Sequence, residues 1–182
     1  CPQRIIQHGK RQPRPQLRRR ILQDLDGGRA HGDGPGDHAR CVASYLTGAH
    51  PKKIVFAGVG KTPEEIDFAL DSRILMFNVE SEAELAAIES VARETGTPAP
   101  VALRVNPSVD PHTHRYIATG LPETKFGLDL ARARALAETI PGRPDLRLIG
   151  VHIHIGSQIT DLAPYVEAVA RAIDFVEACR GL

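Results

Sequence analysis

Residues 150–158 read GVHIHIGSQ, with His152 and His154 two apart in an apolar run and Gly156 and Ser157 directly after. Residues two apart on a strand share a face, so both imidazoles are expected on one side of a strand end. Two chemistries suit such a pair. Same-face imidazoles can ligate zinc or a related ion, but that needs further partners, and only Glu80 and Asp110 stand near other expected strand ends. Alternatively an imidazole can stack flat on the ring of an organic cofactor. Ser157 can then donate to a phosphate that Gly156 lets approach the backbone, and Arg104 of LRVN can hold an anionic or heteroaromatic group. For His152 a place in the core outweighs a functional role. For His154, nearer the strand end, function outweighs the core.

These residues need elements to carry them. From Pro51 onward, short apolar runs alternate with amphipathic stretches. Strands are expected over 52–58, 74–79, 100–106 and 146–156, and helices over 63–71, 81–96, 128–140 and 161–180. Thr62 reads as an N-cap ahead of Pro63, Ser81 with Glu84 as a capping box, Gly96 as a stop, and Pro164 lies in a first turn. Four strand–helix repeats mean a parallel sheet with crossover helices, its strands apolar on both faces. An open doubly wound sheet and part of a (β/α)8 barrel both fit. Either places its ligand at the carboxyl ends of the strands: Gly58 to Lys61, Asn78, Glu80, Arg104, Asn106, and His154 to Gln158.

The composition, 42% hydrophobic and 25% charged with net charge +1 over 182 residues, excludes a wholly disordered chain and a membrane protein. No apolar run approaches the ~18 residues of a membrane span. Three cysteines, Cys1, Cys41 and Cys179, are odd in number and far apart, suggesting neither a disulfide framework nor a zinc site, so a reducing cytoplasm is expected. The chain begins at Cys1 and stops at Leu182 just past a helical pattern, as if cut at both ends.

The chain divides into an irregular basic segment, 1–50, and a regular part, 51–182. The first contains nine Lys/Arg against four Asp/Glu and no Glu; the second contains fourteen against eighteen. RQPRPQLRRR (11–20) could serve as a nucleic-acid arm, but no aromatic residue interleaves the arginines to stack on bases, and a solvated or artefactual tail is the stronger reading. GGRAHGDGPGDHAR (27–40) reads as loop. AGVGKT (57–62) resembles a phosphate loop only in part: Val55 stands where the first Gly is needed, and Pro63 removes a backbone donor. A tight turn leading to a capped helix explains it better. The connection over 106–128 is long enough to be functional; its His112 and His114 are expected exposed, and Lys125, Phe126 and Gly127 to anchor its return.

IVFAGVGKTPEEI, FNVES, ALRVNPSVDPHTHRYIATG, KFG and GVHIHIGSQI together resemble the diaminopimelate decarboxylases, of the alanine-racemase-like, fold type III group of pyridoxal-phosphate enzymes. The resemblance runs from about Lys53 to the end. It implies a partial (β/α)8 TIM-like barrel of four βα units holding pyridoxal 5'-phosphate. It implies a carboxy-lyase that turns meso-2,6-diaminopimelate, a small amino-acid substrate, into L-lysine and CO2, and that pairs as a homodimer. His154 matches the histidine stacking on the pyridine ring, Ser157 the serine at the phosphate and Arg104 an arginine lining the pocket. No nucleic acid, membrane or metal enters this reading. A metal-dependent barrel hydrolase using His152 and His154, and a non-catalytic cofactor carrier, stand as alternatives.

Two family features are not found. The Lys-Ala-Asn strand that carries the Schiff-base lysine and the Ser-Gly-Gly-Glu-Leu helix start have no counterpart in residues 1–50, where Lys10 is the one lysine. Residues 1 to about 45 are therefore expected to be out of frame or from a mis-set gene start. The chain is expected to be a fragment, inactive alone, and poorly soluble because four βα units leave edges and apolar helix faces uncovered.

Overall fold

The computed structural model describes residues 48–109, 127–157 and 159–182. Among these residues five parallel strands and four helices follow one another: β1 (Val55–Phe56), α1 (Pro63–Asp71), β2 (Met76–Val79), α2 (Glu82–Thr95), β3 (Ala99–Asn106), β4 (Leu128–Asp129), α3 (Leu130–Thr139), β5 (Leu146–Ile153) and α4 (Ala163–Cys179). Strand β3 lies between β2 and β5, and β4 pairs with its last two residues, beyond the end of the β2 ladder.

Local chemistry sets the boundaries. Pro51 opens a 3-10 turn over Pro51–Lys53, capped by His50, so β1 is shorter than the apolar run 52–58 suggests. Gly58 and Gly60, both at positive φ, then turn the chain toward α1. Helix α1 opens on a full capping box: Thr62 Oγ1 accepts from the Glu65 N–H, and a Glu65 carboxylate oxygen accepts from the Thr62 N–H. Residues 128–129, expected in the third helix, are instead strand. Asp129 is the N-cap of α3, accepting from the Arg132 N–H at 2.8 Å, and that cap needs extended backbone. The last strand stops at Ile153 rather than 156, short of Gly156 at φ +132.

The sheet has two unlike faces, because parallel partners in register share a side. Phe56, Phe77, Val79, Val101, Leu103 and Val105 lie in one apolar cluster with Ile66 and Leu70 of α1, Leu85 and Ile88 of α2, Ala133 and Ala137 of α3 and Phe175 of α4. All four helices thus cover one face. Burying one such side chain fully contributes roughly 1.5–3 kcal/mol. The other face carries Asn78 and Glu80 from β2 and its end, Arg104 and Asn106 from β3, and His152 from β5. The expectation of strands apolar on both faces is therefore corrected, since only the helix side is lined that way. Helices on a single face, with strands laid down nearly in chain order, give a singly wound, barrel-type sheet rather than a doubly wound one.

Ion pairs tie the helix layer together. Arg143, after α3, grips Glu89 of α2 through both oxygens at 2.6 and 3.1 Å. That hydrogen-bonded guanidinium holds the Glu89 carboxyl below its usual range. The opposite flank of α4 is uncovered: Val166, Val169, Ile173 and Val176 form an exposed apolar stripe. No described helix is long and apolar enough to cross a membrane.

Candidate functional site

The carboxyl ends of the strands bring the charged residues of the polar face together. Arg104 is the register partner of His152 across β3 and β5. Its Nη1 donates to Glu80 Oε2 at 2.7 Å, and Glu80 is 8% exposed. The next level down is small: Ala102 is in register with Gly150, and a Cβ on Gly150 would lie 3.9 Å from that of Ala102. The residues beneath Arg104 and His152 are thus small.

His152 is half-buried. Desolvation, then the nearby Arg104 charge, lower its pKa, against an opposing pull from the Glu80 carboxylate. Both effects favour the neutral ring. Its Nδ1 is buried and has no hydrogen-bond partner among the described residues, as is true of Glu80 Oε1 and Asn78 Oδ1. A metal cation beside His152 would meet the Arg104 guanidinium, which opposes it. Among the described residues no three His, Cys, Asp or Glu side chains are placed to share a metal ion.

His154 lies one residue beyond β5, so the ladder does not hold its ring on the face of His152. It is exposed, and its Nδ1 accepts from the Gly156 N–H at 3.2 Å. In the neutral ring that contact leaves the proton on Nε2. Ser157 is also exposed, next to Gly156. The structure thus places Arg104, His154 and Ser157 at one edge of the sheet, Arg104 on the face and the other two in the turn after β5. Gln158, Asp110, His112, His114, Lys125 and Phe126 lie outside the described residues, as does the segment 1–47.

Beside this edge, a cleft of about 750 Å3 opens between the amino ends of α2 and α3, lined by residues that include Glu80, Ser81, Asn106, Gly127 and Asp129. Arg104, His154 and Ser157 are not among its described lining residues. Glu80, Glu82 and Asp129 make its wall acidic, offset by one arginine, Arg132. That acidic wall does not suit a phosphate. Glu80 links the cleft to the sheet edge, since it lines the cleft and holds Arg104.

Lys61 stands among the expected strand-end residues, but its role is not read from the sequence. The turn and capped helix expected of AGVGKT are present, but the Lys61 side chain is 1% exposed. Its Nζ lies 5.3 Å from the Phe56 ring centroid and donates to Gly58 O at 2.5 Å, to Asn78 O at 3.0 Å and to a carboxylate oxygen of Glu84. The other oxygen of Glu84 accepts from the Glu80 N–H at 2.6 Å. This corrects the capping box expected of Ser81 and Glu84. Ser81 Oγ does cap the Glu84 N–H at 3.1 Å, but the Glu84 carboxylate goes to Glu80 and Lys61. A lysine just after Gly58-Val59-Gly60, with an acid in the first turn of the second helix, was the available signal.

Comparison with known proteins agrees with this arrangement. Diaminopimelate decarboxylase of Aquifex aeolicus is 49% identical over 131 residues, covering 72% of this chain and 31% of that protein. The Vibrio cholerae enzyme of the same name is 45% identical over 145 residues, covering 80% of this chain and 34% of that one. The chain therefore spans about a third of the length of these curated relatives. The crystal structure of Helicobacter pylori diaminopimelate decarboxylase complexed with L-lysine superposes with a TM-score of 0.73 at 36% identity, over 91% of this chain and 42% of that one. The described strands and helices are thus part of a (β/α)8 barrel. Residues 40–182 match the pyridoxal binding domain of the pyridoxal-dependent decarboxylases, and the chain belongs to that family.

Proposed function

We propose that this chain forms part of the pyridoxal 5'-phosphate-binding barrel of a diaminopimelate decarboxylase, which converts meso-2,6-diaminopimelate to L-lysine and CO2. The observation that carries this reading is the polar face of the sheet, where Arg104 and His152 stand in register above Ala102 and Gly150 and beside the turn that holds His154 and Ser157. The residues fit the cofactor. Nδ1 of His152 and Oε1 of Glu80 are buried on this face without a hydrogen-bond partner among the described residues, small residues lie beneath Arg104 and His152, and Gly156 leaves the turn without a Cβ.

In this reading His154 stacks on the pyridine ring, Ser157 donates to the phosphate and Arg104 supplies the positive charge at the ring's edge. Bound pyridoxal phosphate supplies a conjugated pyridinium that accepts the electron pair of the breaking carbon–carbon bond. The protein's share is orientation and electrostatics. Glu80 restrains Arg104, the Gly156 N–H directs the His154 ring, and the helix-covered apolar face excludes water behind the sheet. The lowered pKa of His152 favours its neutral form, so beside Arg104 it adds polarity and not a second positive charge.

Among the described lysines none stands on this face. Lys52 and Lys53 are exposed at the amino end of β1, and Lys61 is held by Glu84. Among the described residues no amine to carry the cofactor covalently is offered there, and the chain alone is expected to be inactive. We assign residues 1–50 to a separate basic segment and 51–182 to the barrel, with a cytoplasmic homodimer as the working assembly.

A chimera tests the function. Residues 51–182 replace the matching stretch of the Aquifex aeolicus enzyme, and release of labelled CO2 from carboxyl-labelled meso-diaminopimelate is measured. Activity that falls at least tenfold on His154→Ala is the expected result. A soluble chimera that loads pyridoxal phosphate yet releases no CO2 overturns the reading.

A further inference from the structure

The charges around Arg104 form a longer series than cofactor contact alone requires. Lys61 at the end of β1 holds Glu84 of α2; Glu84 holds the backbone N–H of Glu80 at the end of β2; Glu80 holds Arg104 of β3; and Arg104 is in register with His152 of β5. The side chain of Lys61 is 1% exposed, that of Glu84 10% and that of Glu80 5%. Burying such pairs costs desolvation that apolar residues of like volume would not incur. Their use at four neighbouring strand ends points to placement of a charge rather than to stability alone.

We propose that Glu80, anchored through its backbone by the Lys61–Glu84 pair, is a positioning residue that holds the Arg104 guanidinium over the polar face beside His152 and so sets the charge a ligand meets there. An unrestrained arginine side chain samples many rotamers. A carboxylate at 2.7 Å removes much of that freedom. The Glu80 carboxylate can do this because its backbone is itself restrained: Glu84 takes its N–H, and Lys61 fastens Glu84 to the carbonyls of Gly58 and Asn78. The inference rests on the reading of this face as a ligand site only for the identity of the ligand.

Nuclear magnetic resonance titration of the 15N-histidine-labelled 182-residue chain, without cofactor, tests it, with His152 assigned by the signal lost in His152→Gln. The charged and titratable groups bearing on His152 are Arg104 from β3, Glu80 from the end of β2 and His154 just past its own strand. In Arg104→Gln His152 titrates at higher pH than in the wild type. Releasing Arg104 weakens its effect on His152, so the shift that Arg104→Gln produces is smaller in the Glu80→Gln background than in the wild type. Glu84→Gln, which leaves both charges in place, reduces that shift in the same way but less. An Arg104→Gln shift of the same size with and without Glu80 overturns the proposal. Should Glu80→Gln not fold, Glu80→Asp is read through solvent exchange of the Arg104 guanidinium protons. The shortened carboxylate speeds that exchange; an unchanged rate overturns the proposal. Neither readout needs pyridoxal phosphate, so failure here is distinct from failure of the cofactor reading.

Discussion

Arg104 Nη1 donates to Glu80 Oε2 at 2.7 Å, and this contact joins the carboxyl ends of β2 and β3 on the side of the sheet that none of the described helices covers. The pair is mostly buried, with side chains 17% and 5% exposed. Removing one partner strands the other charge. Arg104→Met is expected to lower unfolding free energy by roughly 3 kcal/mol. The double variant Arg104→Met/Glu80→Met recovers part of that loss, since both charges are then gone. Urea denaturation of the two variants and the wild type gives the comparison; equal losses in both would show that the charge pair is not the cause.

Gly127 packs on the backbone of Arg104. At φ +92, a Cβ built on it would lie 2.9 Å from Arg104 O and 3.2 Å from Arg104 Cγ. Gly127→Ala therefore combines backbone strain with a clash against main chain that β3 holds in its ladder. A cost of about 1–3 kcal/mol is expected, read as a drop in the thermal midpoint, together with a changed His152 environment. A neutral substitution would show that the return of the 106–128 connection does not support Arg104.

Acid should weaken the tie between Glu89 and Arg143. The folded Glu89 pKa is lowered, first by its hydrogen bond to Arg143. The stabilisation is complete above the ordinary carboxylate range and is lost as pH falls through the lowered folded value. Glu89→Gln is thus expected to cost about 1 kcal/mol at pH 7, with the deficit shrinking in acid. Urea midpoints at both pH values decide it; a deficit that grows in acid contradicts the assignment.

The stripe of Val166, Val169, Ile173 and Val176 on α4 is exposed, with Leu162 beyond the helix start 76% exposed. Apolar surface of this kind drives association. The chain is expected to sediment as concentration-dependent oligomers, and Val166→Lys/Ile173→Lys to reduce them. Sedimentation unchanged by the substitutions would place the association elsewhere.

Much of this fold is legible from residue order. Thr62, Ser81 and Gly96 mark helix ends because caps act locally, and α1 begins and ends where the pattern PEEIDFALD does. The strand at 128–129 is not legible, because two residues carry no period and their pairing with Val105 and Asn106 is long-range. Nor is the polarity of the second sheet face: Asn78, Glu80 and Arg104 sit at the ends of runs that read as apolar. The spacing of His152 and His154 suggests a shared face, but the ladder ends at Ile153 and leaves His154 to the turn. The role of Lys61 is hidden for a similar reason, since its partners Asn78 and Glu84 lie 17 and 23 residues away.

The most direct test of the central claim is pyridoxal phosphate titration of the purified chain by absorbance, followed by borohydride reduction and peptide mapping. The account predicts saturable binding, weakened by Arg104→Met and by Ser157→Ala, with no reduced adduct on Lys52, Lys53 or Lys61. Absence of saturable binding by the folded chain, or binding indifferent to both substitutions, would contradict it, as would a reduced adduct on any of those three lysines.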